Sequence, residues 1–249
     1  MNIYIAVGIF RPQFLFNTIF MKSILFTFLF VPVFMLCQNY KFDYLLTYKV
    51  ARIKPSKESF GESKTYINSE QPNYSMNSFF MNNNIVNWLK DSNSRLYYKF
   101  NVVERENMGD LYHYDYARRF IKEDNKYFRF IERVEVEKNN DLSYTIKAYH
   151  KKKKISFIIR IELEKSDANL MNFRLLDVPE YTEEKIFTEF MKILPDEKFV
   201  IKKIESDRRN GYVFTEELIN IKKVNKQVIL PKEIEKMVNK QFENYKDQY

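Results

Sequence analysis

The chain has little cysteine and little glycine, and both shortages exclude functions. Its 249 residues include one cysteine, Cys37, and four glycines. A lone cysteine allows no disulfide within the chain and no cysteine-based zinc site, and the residues after it contain no thiol nucleophile. Four scattered glycines cannot form the glycine-rich loop that cradles phosphates. We therefore expect stability to come from core burial, and we expect no bound nucleotide.

Histidine is equally scarce, with only His113 and His150 in the chain. A Ser-His-Asp system needs a nucleophile beside a histidine, and no Gly-x-Ser-x-Gly turn occurs. The best metal-ligand cluster is Asp110, His113 and Asp115, which is more typical of a polar surface than of a metal site. The sequence predicts no metal and no cofactor.

Paired carboxylates leave one enzymatic alternative open. Glu162 and Glu164 point the same way on a predicted strand, as acid and base catalysts would. The residues between and before them are apolar, so the pair is interpreted as the solvated face of a half-buried strand. We predict a non-catalytic protein, with a carboxylate-based hydrolase as a remaining alternative.

The most informative segment present is a targeting signal that begins at Met21. A short positive start is followed by the apolar run 24–36 and by Cys37, the order of a secretory signal peptide. We predict residues 1–20 as an upstream extension, 21–37 as the signal peptide and 38–249 as a single β-rich domain. An uncleaved signal anchor and a lipid-modified Cys37 are the alternatives. The protein is expected to be exported: periplasmic, secreted or membrane-anchored.

The charges are mixed rather than one-sided. The chain has 41 Lys and Arg against 33 Asp and Glu, interspersed as on an ordinary surface. The only dense basic run is Lys151, Lys152, Lys153 and Lys154, interpreted as a solvated hairpin tip. Its functional alternative is electrostatic contact with anionic lipid headgroups or polyanions. No nucleic-acid module is recognisable, so nucleic acid is not an expected partner.

Aromatic residues make up 17% of the chain, and they alternate with polar ones in many segments. Alternation over residues 40–50 and 155–163 predicts half-buried strands. Two amphipathic helices are predicted, one with Thr182 as its N-cap and Pro195 as its stop, the other opening at Pro231. The fold class expected is mainly β (α+β): an antiparallel, meandering, curved sheet or an open barrel or sandwich with about two helices.

Two stretches carry a family resemblance. The segment 40–48, YKFDYLLTY, after a signal ending in Gln-Asn-Tyr, and the segment 66–75, YINSEQPNYS, resemble secreted β-rich proteins of Bacteroidota of the GLPGLI type. The Gly-Leu-Pro-Gly-Leu-Ile sequence itself does not occur. The resemblance implies an envelope protein with a fold like that of the curved-sheet lipoprotein carriers, and it assigns no functional residue.

The function predicted is binding of a lipid or another apolar ligand in a groove between sheet and helix. The alternative is an envelope protein that binds another protein, or acts as a scaffold, without a cavity. The oligomeric state stays open. The candidate ligand-lining residues are aromatic or apolar side chains of predicted strands and of the first helix: Tyr44, Tyr48, Tyr98, Phe100, Phe157, Ile159 and Phe187.

Overall fold

A computed structural model describes residues 37–81, 84–103, 111–120, 131–150, 154–175 and 178–231. The targeting segment and all but the first residue of the second predicted helix lie outside these residues. The chain divides into two compact units, one comprising Met1–Asn39 and Ile229–Lys232, of which only 37–39 and 229–231 are described. The other unit, Tyr40–Val228 with Glu233–Tyr249, contains the features below.

Eleven antiparallel strands form one open sheet in the described part of the chain. Strands that follow one another in the chain pair side by side, except β6 and β7, and β1 and β11 are also neighbours, so the order is β6-β5-β4-β3-β2-β1-β11-β10-β9-β8-β7. The predicted mainly β, antiparallel meander is confirmed, whereas the alternatives of an open barrel or a sandwich are not supported, because the described strands form one open sheet with β6 and β7 at its two ends. The strands are β1 Cys37–Lys54, β2 Glu58–Ile67, β3 Tyr74–Met81, β4 Asn84–Asp91, β5 Leu96–Val103, β6 Leu111–Arg119, β7 Arg133–Asn140, β8 Ser143–His150, β9 Lys154–Lys165, β10 Phe199–Asp207 and β11 Val213–Pro231.

Alternation of apolar and polar residues explains how these strands bury one face. In β9, Ile159, Ile161 and Leu163 are buried, while Glu162 and Glu164 on the other face are exposed. The two glutamates therefore lie on a solvated face, as the sequence predicts. Successive side chains of a strand point to opposite faces, so this pattern assigns the isoleucines to the core.

One helix, α1, spans Glu180–Met191 in the described residues. Its predicted N-cap was wrong: Thr182 lies buried inside the first turn, and the helix follows Pro179, whose φ is −57°. Proline suits the entry to a helix because its ring fixes φ near the helical value and no N–H is needed there. The inward face of α1 includes Ile186 and Phe190, which pack into the core.

The sheet curls around this helix. Lys90 of β4 forms an ion pair with Glu183 of α1, and Tyr144 of β8 packs its ring 5.3 Å from that of Phe190. These two strands are seven steps apart in the sheet, about 34 Å if the sheet were flat. A helix with its side chains is only about 10–12 Å across. The sheet must therefore wrap around α1, which lies on its concave face.

The sheet splits between β10 and β11. Their pairing runs from Asp207–Val213 to Lys203–Glu217 and goes no further. The remaining edge of β10 is taken by Leu170, whose N–H donates to the carbonyl of Phe199 at 3.0 Å. The segment 170–175 then crosses the core, where residues 171, 173 and 175 are buried. This crossing brings Arg174 towards the concave face.

Candidate functional site

The predicted ligand-lining residues fall into separate places. Phe157 and Phe187 pack against the large core cluster that contains Ile159, whereas Tyr44 packs against a second cluster that contains Tyr48. On β5, Tyr98 and Phe100 are fully buried. The structure thus does not bring these seven side chains into one continuous surface, and their role in ligand binding stays a prediction.

A pocket of about 80 Å³ lies between α1, the segment 171–173 and the β3–β4 region. Its apolar wall includes Met171, Phe173 and Phe187, and the rings of the two phenylalanines stack at 5.4 Å. Its polar wall includes Lys90 and Glu183. Phe187 is the one predicted ligand-lining residue that this pocket contains.

Three ion pairs are buried around α1. Lys90 pairs with Glu183 at 2.6 Å, with side chains only 14% and 6% exposed. Further pairs join Arg118 to Glu180 at 2.7 Å and Arg174 to Glu216 at 3.2 Å; these four side chains too are largely buried. Through these contacts β4 and β6 hold the first turn of the helix, and the crossing segment is tied to β11.

Glu183 is at the centre of this arrangement. One carboxylate oxygen accepts from the Lys90 ammonium, and the other accepts from the N–H of Leu175 at 2.7 Å. Burial raises the pKa of Glu183, while Lys90 and the Leu175 N–H oppose that rise and Glu180 adds to it. Desolvation therefore outweighs pairing, as expected for a carboxylate taken almost completely out of water.

Aromatic rings surround the basic partners. The guanidinium of Arg118 lies 4.7 Å from the ring centre of Tyr97, and the ammonium of Lys90 lies 5.7 Å from that of Phe120. Burial raises the pKa of Tyr97, and the nearby Glu183 raises it further. The electron-rich faces of these rings stabilise the cations of Arg118 and Lys90, which have lost much of their hydrating water.

The Arg174 end of the site holds a tyrosine hydroxyl without a hydrogen-bond partner. Burial lowers the pKa of Arg174, but the ion pair with Glu216 together with the nearby Glu183 and Tyr97 raises it by more, so the guanidinium stays charged. The hydroxyl of Tyr48 is buried and has no hydrogen-bond partner in the described part of the chain. Burial and the neighbouring Glu216 raise its pKa. A buried unpaired hydroxyl costs roughly 1–3 kcal/mol.

The raised pKa of Glu183 predicts a pH dependence of stability. The folded chain keeps this proton at pH values where the unfolded carboxyl, with its ordinary pKa of 4.5, has lost it. The free energy of unfolding therefore falls as the pH rises through the pKa that Glu183 has in the folded protein. Below pH 4.5 the carboxyl is protonated in both states, so Glu183 does not lower the stability there. We expect Glu183→Gln, which cannot titrate, to gain in relative stability as the pH rises. Urea unfolding of both chains between about pH 4 and pH 8 measures this, and a difference independent of pH would contradict it.

The remaining predicted residues lie elsewhere. Lys154 is exposed at the start of β9 opposite His150, while residues 151–153 are outside the described part, as is Asp110. His113 is in β6, and Asp115 pairs with Lys99 at 2.7 Å. Within the described ranges, no three histidine, cysteine or acidic side chains come together as metal ligands.

Sequence reasoning missed the buried ion pairs. One signal was available: Glu183 precedes Ile186, Phe187 and Phe190 at spacings of three, four and seven residues, so it continues the apolar stripe of α1. An acidic residue in the first turn is also favoured by the helix dipole, so its presence there alone does not indicate burial. A carboxylate on an apolar stripe predicts a buried cation beside it, because a buried charge is stable only when it is paired.

The fold and site define a class: an open, curled antiparallel sheet with one described helix on its concave face, held there by buried ion pairs. Neither a scan against protein-family models nor a search of curated proteins finds a match to the chain. Among the described residues, no helix has the length and apolar character needed to cross a membrane.

Proposed function

We propose that this protein is an exported, non-catalytic binding protein whose ligand is a lipid or another apolar molecule. The ligand enters between α1 and the concave face of the sheet. The observation that supports this is the pocket beneath α1, with Phe173 and Phe187 on one side and the Lys90–Glu183 pair on the other. Export rests on the signal-like segment 21–37.

The size of the pocket indicates how such a ligand is accommodated. Small-molecule sites usually measure about 300–1,000 Å³, and this pocket measures about 80 Å³. A larger ligand therefore requires α1 to move away from the sheet. Two of its attachments, Glu180 to Arg118 and Glu183 to Lys90, are buried ion pairs, which stabilise little in net terms because desolvation offsets their attraction.

The charges also suggest the orientation of the ligand. When α1 moves, Lys90 loses its carboxylate partner and becomes available to an anionic group on the ligand. The apolar part of the same ligand then lies against Phe173 and Phe187. A fatty acid has both parts, so it is a suitable first probe.

The test uses protein purified from the envelope fraction, with bound molecules identified by native mass spectrometry and palmitate added as the probe. We expect palmitate to bind, and we expect Phe187→Trp, which fills the pocket, to weaken binding about tenfold. Met191→Trp is the matched control, because Met191 is exposed on α1. Circular dichroism establishes that both variants fold.

Two results would contradict the proposal. One is the absence of both a co-purified ligand and palmitate binding, which would favour the interaction or scaffold alternative. The other is palmitate binding that Phe187→Trp and Met191→Trp weaken equally, because the ligand would then bind outside the pocket.

A further inference from the structure

Strand β11 continues where its neighbour stops. β10 pairs with it only as far as Lys203, opposite Glu217, because Leu170 takes the edge of β10 beyond that point. Residues 218–223 remain in strand conformation after the split. Within the described part of the chain, their edge facing β10 has no strand beside it.

The direction of the backbone groups follows from the register. The N–H of Arg208 donates to the carbonyl of Tyr212, so Tyr212 directs its carbonyl towards β10. In an antiparallel ladder, alternate residues direct both N–H and C=O to the same side. Leu218, Asn220 and Lys222 therefore present their backbone groups to the vacated side, as a template for another strand.

The side chains of this stretch are unusually exposed. All five residues from 219 to 223 are exposed, including two isoleucines on the same face, Ile219 at 51% and Ile221 at 39%. Lys222 and Lys223 follow, and the described residues offer neither of them an ion-pair partner. Among the described residues, the stretch thus combines a backbone edge without a neighbouring strand, an apolar row and two lysines without an ion-pair partner.

We infer that residues 218–223 bind an extended segment of a partner protein that alternates acidic and apolar residues. The segment adds to the sheet as a strand beside β11 and bonds to its free backbone groups. Its apolar side chains cover Ile219 and Ile221 on one face, and its carboxylates, on the opposite face, pair with Lys222. A second copy of this chain fits less well, since the stretch 218–223 contains no acidic residue that could pair with Lys222.

The test measures fluorescence anisotropy of a labelled peptide of about eight residues that alternates valine and glutamate. A peptide alternating valine and lysine is the control ligand. We expect the acidic peptide alone to bind, and we expect Lys222→Glu to weaken binding at least tenfold. Lys57→Glu is the matched control, because Lys57 is also exposed. Asn220→Pro, which removes one edge N–H, should weaken binding similarly.

Each other outcome overturns the inference. Equal binding of both peptides would exclude charge recognition, and unchanged binding by Asn220→Pro would exclude strand addition. Sedimentation that reveals a dimer lost in Asn220→Pro would assign the edge to a second copy instead. None of these results depends on the pocket beneath α1, so this inference and the proposed function can fail separately.

Discussion

Replacing Glu183 by leucine is expected to lower the free energy of unfolding by about 3–5 kcal/mol, measured by urea denaturation. The variant leaves the ammonium of Lys90 charged and buried without its partner at 2.6 Å. It also removes the acceptor of the Leu175 N–H. Leucine and glutamate have similar helix propensities, so the loss reports the lost interactions rather than the helix backbone.

Two further variants separate the buried pair from ordinary surface effects. Glu183→Leu combined with Lys90→Met removes both charges, and we expect it to recover most of the lost stability. Glu189→Leu breaks the exposed pair with Lys192, so it should change stability by less than about 1 kcal/mol. If Glu183→Leu were as mild as Glu189→Leu, the pair beneath α1 would not be buried in solution.

Alternation predicted much of the sheet because each strand buries one face only. In β1, Tyr40, Phe42, Leu46 and Tyr48 are buried at alternate positions, as the pattern indicated. The sequence of a half-buried strand determines which face points to the core, since a shift of one residue would expose every apolar side chain. Antiparallel neighbours joined by short turns then follow from chain order.

The split between β10 and β11 could not be predicted in the same way. Residues 166–170 have no clear period, so nothing local indicates that Leu170 would take the edge of β10. The predicted start of α1 was also wrong. Threonine is a favoured N-cap, but the helix begins at Glu180, directly after Pro179. Thr182 therefore lies inside the first turn and does not cap it.

Only one partner of the central ion pair, Glu183, has a signal in the local sequence. The position of Glu183 on the apolar stripe is a signal for a buried carboxylate that the sequence-based predictions did not use, and its partner Lys90 lies 93 residues away. That pairing depends on the curl of the sheet, which brings β4 against the helix. Curvature arises from the twist and packing of many strands together, and no short segment encodes it.

Phe190→Ala is expected to destabilise the protein by about 3–5 kcal/mol. The phenylalanine side chain is 0% exposed and lies in the core cluster, with its ring centre 5.3 Å from Tyr144 and 6.5 Å from Phe173. Alanine leaves a cavity between helix and sheet. Because alanine is the better helix former, the helix itself gains, and the measured loss is therefore a lower limit on the lost packing.

The control for this variant is the next residue of α1. Met191 is exposed, so Met191→Ala should change the free energy of unfolding by less than about 0.5 kcal/mol. Phe190→Leu keeps most of the volume and should cost less than about 1.5 kcal/mol. A loss below about 1 kcal/mol for Phe190→Ala would mean that α1 is not packed on β8 in solution. The pocket would then lack one wall, so the same measurement also tests the basis of the proposed ligand site.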